Sequence, residues 1–218
     1  VIRALLFDAA GTLIDPAESV GKTYARLLFS EPSPDLAADL DRRFRDAFRR
    51  LPAPDFAADP DGDRVERVWW RELVESTLER PLDDAGFATV FDHYAGAAAW
   101  RIRPGVIDAL ERARAGGFRL AVVSNFDRRL HAILENLGLA RFFEHQLCSA
   151  DARARKPDPA IFRHALGLLG LGADEVLHVG DSPECDGRGA AAAGIGVHLL
   201  RSADDTLGGF VARVENLR

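Results

Sequence analysis

No run of apolar residues in this sequence approaches the roughly 20 that a membrane-spanning helix requires, so no segment reads as a span. The stretch VIRALLFDAAGTL meets Asp8 after only a few apolar residues. That is not the layout of a secretory signal, and it predicts a chain that is not exported. Positive charge is short: 28 basic against 34 acidic residues leave a net charge of −6. This is the wrong sign for affinity toward phosphate backbones, so nucleic acid is not expected as a partner. Cysteine is scarce, and Cys148 and Cys185 form no metal-type spacing. Two thiols in 218 residues suit a reducing compartment, so the cytoplasm is expected. Lysine is scarcer than arginine, because only Lys22 and Lys156 are lysines among the 28 basic residues. Internal repeats are absent, and nothing in the sequence sets an oligomeric state.

What is present is ordinary for a globular chain: 47% hydrophobic and 28% charged residues, with length for one α/β core carrying an insertion or for two small domains. Ile2 to Phe7 is a short apolar run ending at Asp8, the pattern of a buried parallel strand that presents an acid at its carboxyl end. Phe118 to Ser124, Val176 to Val179 and Gly196 to Leu200 read the same way, and Phe143 to Ser149 is a weaker strand candidate. Between the first two runs, Pro104 opens and Gly116 and Gly117 close a helical stretch. Strands alternating with helices imply right-handed crossovers and a mostly parallel, Rossmann-like α/β sheet, whose ligands bind beyond the carboxyl ends of the strands. From about Pro16 to Arg103 strand-like runs vanish. Leu36, Leu40, Phe44 and Phe48 predict one helix and Val65, Trp69 and Leu73 another, with the loop Pro52 to Asp63 between them. This predicts a helical domain, 16–103, inserted into a core made of 1–15 and 104–218. Trp69 and Trp70 point about 100° apart on a helix, so one is expected in a core and the other at an interface.

Four pieces carry chemistry. Asp8-Ala9-Ala10-Gly11-Thr12 places a carboxylate at a strand end before a glycine turn and a hydroxyl. Ser124-Asn125 ends another strand with a hydroxyl and backbone N–H groups able to hold an anion. Lys156-Pro157-Asp158-Pro159 precedes the helical pattern Ile161, Ala165, Leu168, Leu169; in a chain that uses arginine almost everywhere, a lysine here suggests a compact ammonium that a guanidinium fork does not replace. Gly180 to Asp186 (GDSPECD) sets Asp181 and Asp186 five residues apart at a strand end, a set of oxygen ligands suited to Mg²⁺. Each piece alone has a bland reading as a turn or a helix cap. Their order, strand-end positions and complementary charges make the set the signal.

Through FDAAGTL, VVSN, KPDP and HVGDSPECD the chain resembles the haloacid dehalogenase superfamily over essentially its whole length. The resemblance implies that the insertion is a helical cap, that Asp8 is the nucleophile, and that Mg²⁺ is held by Asp8, the backbone carbonyl of Ala10 and Asp181, with Asp186 a further ligand or its support. It implies that Thr12, Ser124, Asn125 and Lys156 hold phosphate, that Lys156 shares in catalysis, and that the partner is a small phosphorylated molecule. In phosphatases of that family the residue two after the nucleophile is a second Asp, the general acid and base; here it is Ala10. Loss of that role, commonly worth about 10² to 10⁴ in rate, leaves several readings open. These are a Mg²⁺-dependent phosphatase favouring good leaving groups, a phosphate- or metal-binding protein with little turnover, a phosphonoacetaldehyde hydrolase-like enzyme using Lys22, and a 2-haloacid dehalogenase. Structural roles are expected for His93, His178, Cys185 and Asp15, with His93 also a conceivable substitute base.

Overall fold

The computed structural model describes residues 1–202 and 205–215. The chain divides into two compact units, Val1–Asp15 with Ile102–Arg218, and Pro16–Arg101. The larger unit thus takes in Ile102 and Arg103, two residues that the sequence pattern assigns to the insertion. No helix among the described residues is long and apolar enough to cross a membrane.

The chain opens with β1 (Ala4–Phe7) and the short β2 (Ile14–Pro16). It then forms the helical unit: α1 (Val20–Leu28), α2 (Pro34–Arg50), α3 (Gly62–Leu78) and α4 (Asp84–His93). Each helix starts on a side-chain cap, with Ser19, Ser33, Asp61 and Asp83 accepting from backbone N–H groups of the first turn, which otherwise lack partners. Val65, Trp69 and Leu73 are buried as the period requires, but Phe48 is exposed and Ala47 is buried in its place. Four-residue spacing overshoots the 3.6-residue turn by about 40° each time, so the fourth member of the Leu36 series has rotated off the buried face. Trp69 is buried and donates from Nε1 to the Pro52 carbonyl at 2.8 Å. Trp70 is half-buried with its ring edge-on to that of Trp69, at 5.1 Å between centroids.

After β3 (Trp100–Ile102), which pairs with β2, the larger unit continues with α5 (Val106–Ala115), β4 (Arg119–Ser124), α6 (Arg129–Asn136) and β5 (His145–Cys148). It closes with α7 (Ser149–Ala152), α8 (Pro159–Leu169), β6 (Val176–Gly180), α9 (Gly189–Ala192), β7 (Gly196–Leu199) and α10 (Leu207–Glu215). The helix expected from Pro104 begins at Val106, because Gly105 takes a left-handed φ of 75° that a helix cannot include. The five main strands run parallel in the order β5-β4-β1-β6-β7. Leu5, Leu6 and Phe7 of the central strand are fully buried, as both faces of a parallel sheet are covered. One face packs Leu6, Val123 and Leu147 against Ile161, Phe162 and Ala165 of α8, and each such large side chain contributes about 1.5–3 kcal/mol by leaving water. Leu168, part of the expected apolar pattern, is exposed, and Phe162 occupies the buried face instead.

The register fixes the site. Phe7 lies opposite Val122 of β4 and Val179 of β6, so the next residue, Asp8, emerges level with the ends of both neighbours. Its amide extends the ladder to the Val179 carbonyl at 3.0 Å.

Candidate active site

Asp8 leaves the central strand into a tight turn in which the amides of Thr12, Leu13 and Ile14 all point at the Ala9 carbonyl, at 3.2, 2.8 and 3.0 Å. Gly11 has a φ of +89°, and a Cβ there would stand 2.6 Å from Oδ2 of Asp181. Glycine therefore serves two purposes: it permits the turn and lets the Asp181 carboxylate approach the backbone. Arg103 bonds the Gly11 carbonyl and, at 3.2 Å, Asp15. Arg103 is not among the expected site residues, and with Asp15 it ties down the turn. Ala10 is exposed, whereas Thr12 is buried and its Oγ1 has no hydrogen-bond partner among the described residues. A buried hydroxyl is seldom left unsatisfied, so this orphan donor suits an anionic ligand.

Lys156 arrives from the segment between α7 and α8, 148 residues from Asp8 in sequence, and its peptide bond to Pro157 is cis. Its buried ammonium donates to Oδ1 of Asp8 at 2.7 Å and to Oδ1 of Asp186 at 2.6 Å. Asn125 secures the lysine: its Oδ1 accepts from the Lys156 amide at 2.7 Å and its Nδ2 donates to the Lys156 carbonyl at 2.9 Å. Both ends of the Asn125 side-chain amide are thus committed to the lysine backbone, which leaves its main-chain N–H as the group through which it would contact phosphate. Ser124, buried at the end of β4, stands in register with Cys148.

Asp181 precedes, and Asp186 lies within, one wide π turn, Pro183–Arg188, whose start is capped by Ser182 accepting from the Cys185 amide at 3.1 Å. Oxygens of Asp8, Asp181 and Asp186 lie within 4.8 Å of one another. Asp181 is exposed and Asp186 is fully buried. The Asp186 carboxylate also accepts from His178 Nε2 at 2.8 Å and, at Oδ2, from the Ser182 amide at 2.9 Å. Its contacts are thus those of a support for Lys156 more than of a free ligand. His178 is fully buried, edge-on to Phe162 at 4.9 Å. A histidine within a buried strand needs a polar partner, and Asp186, eight residues on and beyond both Asp181 and Glu184, supplies it.

Burial, reinforced by the neighbouring carboxylates of Asp186 and Asp181, raises the Asp8 carboxyl to about 6 despite the Lys156 ammonium. Although Asp181 as a whole reaches solvent, partial desolvation of its carboxyl, together with Asp186, raises it. Asp186 goes the other way: burial is outweighed by Lys156 and His178, which hold it well below the usual carboxylate range. For Lys156 the two carboxylates outweigh burial and raise the ammonium above its ordinary value. Three carboxylates facing one ammonium leave excess negative charge, which a divalent cation neutralises, and the oxygen-only donor set fits Mg²⁺. The half-buried Cys185 thiol is raised by burial, against the thiolate character that redox sensitivity needs. Lys22 and His93 belong to the helical unit, where the exposed Lys22 pairs with Glu18 at 3.0 Å and burial lowers the His93 imidazole.

A family model described as haloacid dehalogenase-like hydrolase matches residues 2–194. The chain is 33% identical over 93% of its length to haloacid dehalogenase-like hydrolase domain-containing protein 3 of Danio rerio, covering 86% of that protein. It is 32% identical over 91% of its length to a plasmid phosphoglycolate phosphatase of Cupriavidus necator, covering 80% of that protein. Among solved structures, an L-2-haloacid dehalogenase superposes with a TM-score of 0.75 at 23% identity, over 98% of this chain and 99% of that one, a likeness of fold.

Proposed function

This chain belongs to the haloacid dehalogenase-like hydrolase family, and on that premise we propose that it is a Mg²⁺-dependent phosphatase acting on a small phosphorylated metabolite through an aspartyl-phosphate on Asp8. One observation carries the reading: the carboxylates of Asp8, Asp181 and Asp186 gather within 4.8 Å around a buried lysine. Asp8, Asp181 and the Ala10 carbonyl would hold the cation, with Asp186 supporting Lys156. When bound, Mg²⁺ supplies the positive charge that lets an anionic nucleophile approach an anionic phosphoryl group. Asp8, deprotonated, attacks phosphorus and divides the hydrolysis into two steps. Lys156 neutralises the nucleophile and the transferring oxygens, and the hydroxyls of Thr12 and Ser124 donate to those oxygens. The helical unit, by its place in the chain directly after the Asp8 turn, is the element we assign as a cap. The two free thiols are consistent with residence in the cytoplasm.

Ala10 provides no acid for the departing oxygen, so the preferred substrates have leaving groups that depart unprotonated, such as acyl or aryl phosphates. The same alanine supports a second reading, a phosphate-binding protein with little turnover. Incubation with an aryl phosphate and Mg²⁺ separates the two. The phosphatase reading expects turnover that chelation and Asp8→Asn each abolish. Silence toward activated phosphates, with phosphate still bound, favours the second reading. Halide release from a 2-haloacid without Mg²⁺ would overturn both.

A further inference from the structure

We propose a second metal site in the larger unit, sharing no residue with the acidic cluster, in which Cys148, His131 and Asp151 bind a borderline divalent ion such as Zn²⁺. Cys148 is the last residue of β5, Asp151 lies one turn later in α7, and His131 is in the first turn of α6. The three side chains converge on one atom. Oδ2 of Asp151 lies 2.8 Å from Nε2 of His131 and 3.0 Å from Sγ of Cys148. The three ligand atoms fall within 4.8 Å of one another.

The donor chemistry selects the metal. A thiolate, an imidazole and a carboxylate suit Zn²⁺, whereas the cluster at Asp8 offers only oxygen and suits a hard ion. Tetrahedral Zn²⁺ with bonds of about 2.0–2.3 Å sets its ligands roughly 3.2–3.8 Å apart, so small outward movements of these side chains admit the ion. The thiol proton leaves to solvent as the sulfur–metal bond forms, with no change of oxidation state. Arg128 is already placed to support the site: its Nε donates to the other Asp151 oxygen, Oδ1, at 2.6 Å. A carboxylate that ligates through one oxygen is commonly held this way through the second. Cys148 is fully buried, while His131 and Asp151 are 39% and 27% exposed at their side chains, which leaves a solvent-facing position for a water as fourth ligand. An ion there would fasten α6 to the β5–α7 junction, beside the strand that ends in Ser124.

The test uses the full chain, stripped with chelator and titrated with Co²⁺ in excess Mg²⁺ so that the all-oxygen cluster is occupied. The expected result is near-ultraviolet thiolate-to-cobalt absorption that saturates at one equivalent, bleaches with Zn²⁺, and persists in Cys185→Ser. His131→Ala, altered at a partly exposed position and expected to fold, should weaken Zn²⁺ binding by more than the roughly 10- to 100-fold typical of losing an outer-shell partner. Cys148→Ser should abolish the absorption. Absence of the band in the folded wild type, its survival in Cys148→Ser, its loss in Cys185→Ser, or unchanged Zn²⁺ affinity in His131→Ala overturns the assignment.

Discussion

Nε2 of His178 lies 2.8 Å from Oδ1 of Asp186, the same oxygen that receives the Lys156 ammonium at 2.6 Å. The histidine therefore acts on the reaction centre at one remove, by fixing the carboxylate that fixes the lysine. His178→Ala is expected to cost about 1–3 kcal/mol of stability, since it leaves a buried charge short of one donor. Phosphatase kcat should fall with it, while His178→Gln recovers part of both. Urea midpoints and kcat against KM for an aryl phosphate check this; unchanged kcat in a folded His178→Ala protein would remove the histidine from the account.

Ala10 is exposed two residues after Asp8, so a longer side chain fits without displacing the core. Ala10→Asp should raise turnover of alkyl phosphates by about 10² to 10⁴, the usual contribution of general acid–base catalysis. The gain should be smaller for aryl phosphates, whose leaving groups need no proton. Equal gains on both ester classes would mean that protonation is not what the alanine removes.

The Asp8 carboxyl of the metal-free protein, raised to about 6 by burial and neighbouring carboxylates, competes with a cation for the same oxygen. Mg²⁺ affinity should fall as pH drops through about 6, and binding should release protons near that pH but not at about pH 8. The sign for folding follows from linkage. A carboxyl whose native value is raised lends stability fully below its ordinary 3.8, and loses that contribution as pH rises through about 6. Subtracting the metal-free Asp8→Asn stability curve from the wild-type curve isolates this component, and a flat difference between pH 4 and 7 would contradict it.

A Cβ at Gly180 would stand 2.2 Å from Cγ of Asp186. Gly180→Ala must therefore push the aspartate off Lys156, with a stability loss of about 1–3 kcal/mol typical of overpacking and a marked drop in kcat. Denaturant unfolding and steady-state kinetics on the same preparation report both; a variant with wild-type values in each would show that the aspartate can move freely.

The sheet was readable because parallel strands covered on both faces are nearly continuous apolar runs, and each of the five falls inside or beside a run bounded by glycine or an acid. Asp8 and Asp181 stood out for a related reason: strand ends of such sheets face ligands, so a charged residue there has few structural duties; Lys156, in the segment before α8, stood out instead as one of two lysines in an arginine-rich chain. Asn125 and His178 were not, because their roles depend on which way a side chain turns once residues 31 and 8 positions away have folded against them. The helices α1 and α4 were hidden by brevity, as nine or ten residues show barely two periods of any pattern. Phe48 was placed inward by counting in fours along a helix that turns every 3.6 residues, whereas Leu168 lies at the edge of a buried face centred on Phe162, Ala165 and Leu169. The grouping of Cys148 with His131 and Asp151 has no local spacing to betray it, since it is assembled by a strand end and two separate helices.

Where the chain leaves the sheet after β1 and returns before α5, its two strands are already paired with each other, and just beyond them the Ala17 amide bonds the Ala99 carbonyl at 2.8 Å. The excursion is thus a side branch closed at its base. A graft of different length or shape between those two points adds little closure entropy, since that cost grows only slowly with length, and it leaves every neighbour relation in the five-stranded sheet untouched. Divergence in what such a protein accepts can proceed in one contiguous stretch of gene while the wiring of the aspartates and the lysine is inherited unchanged.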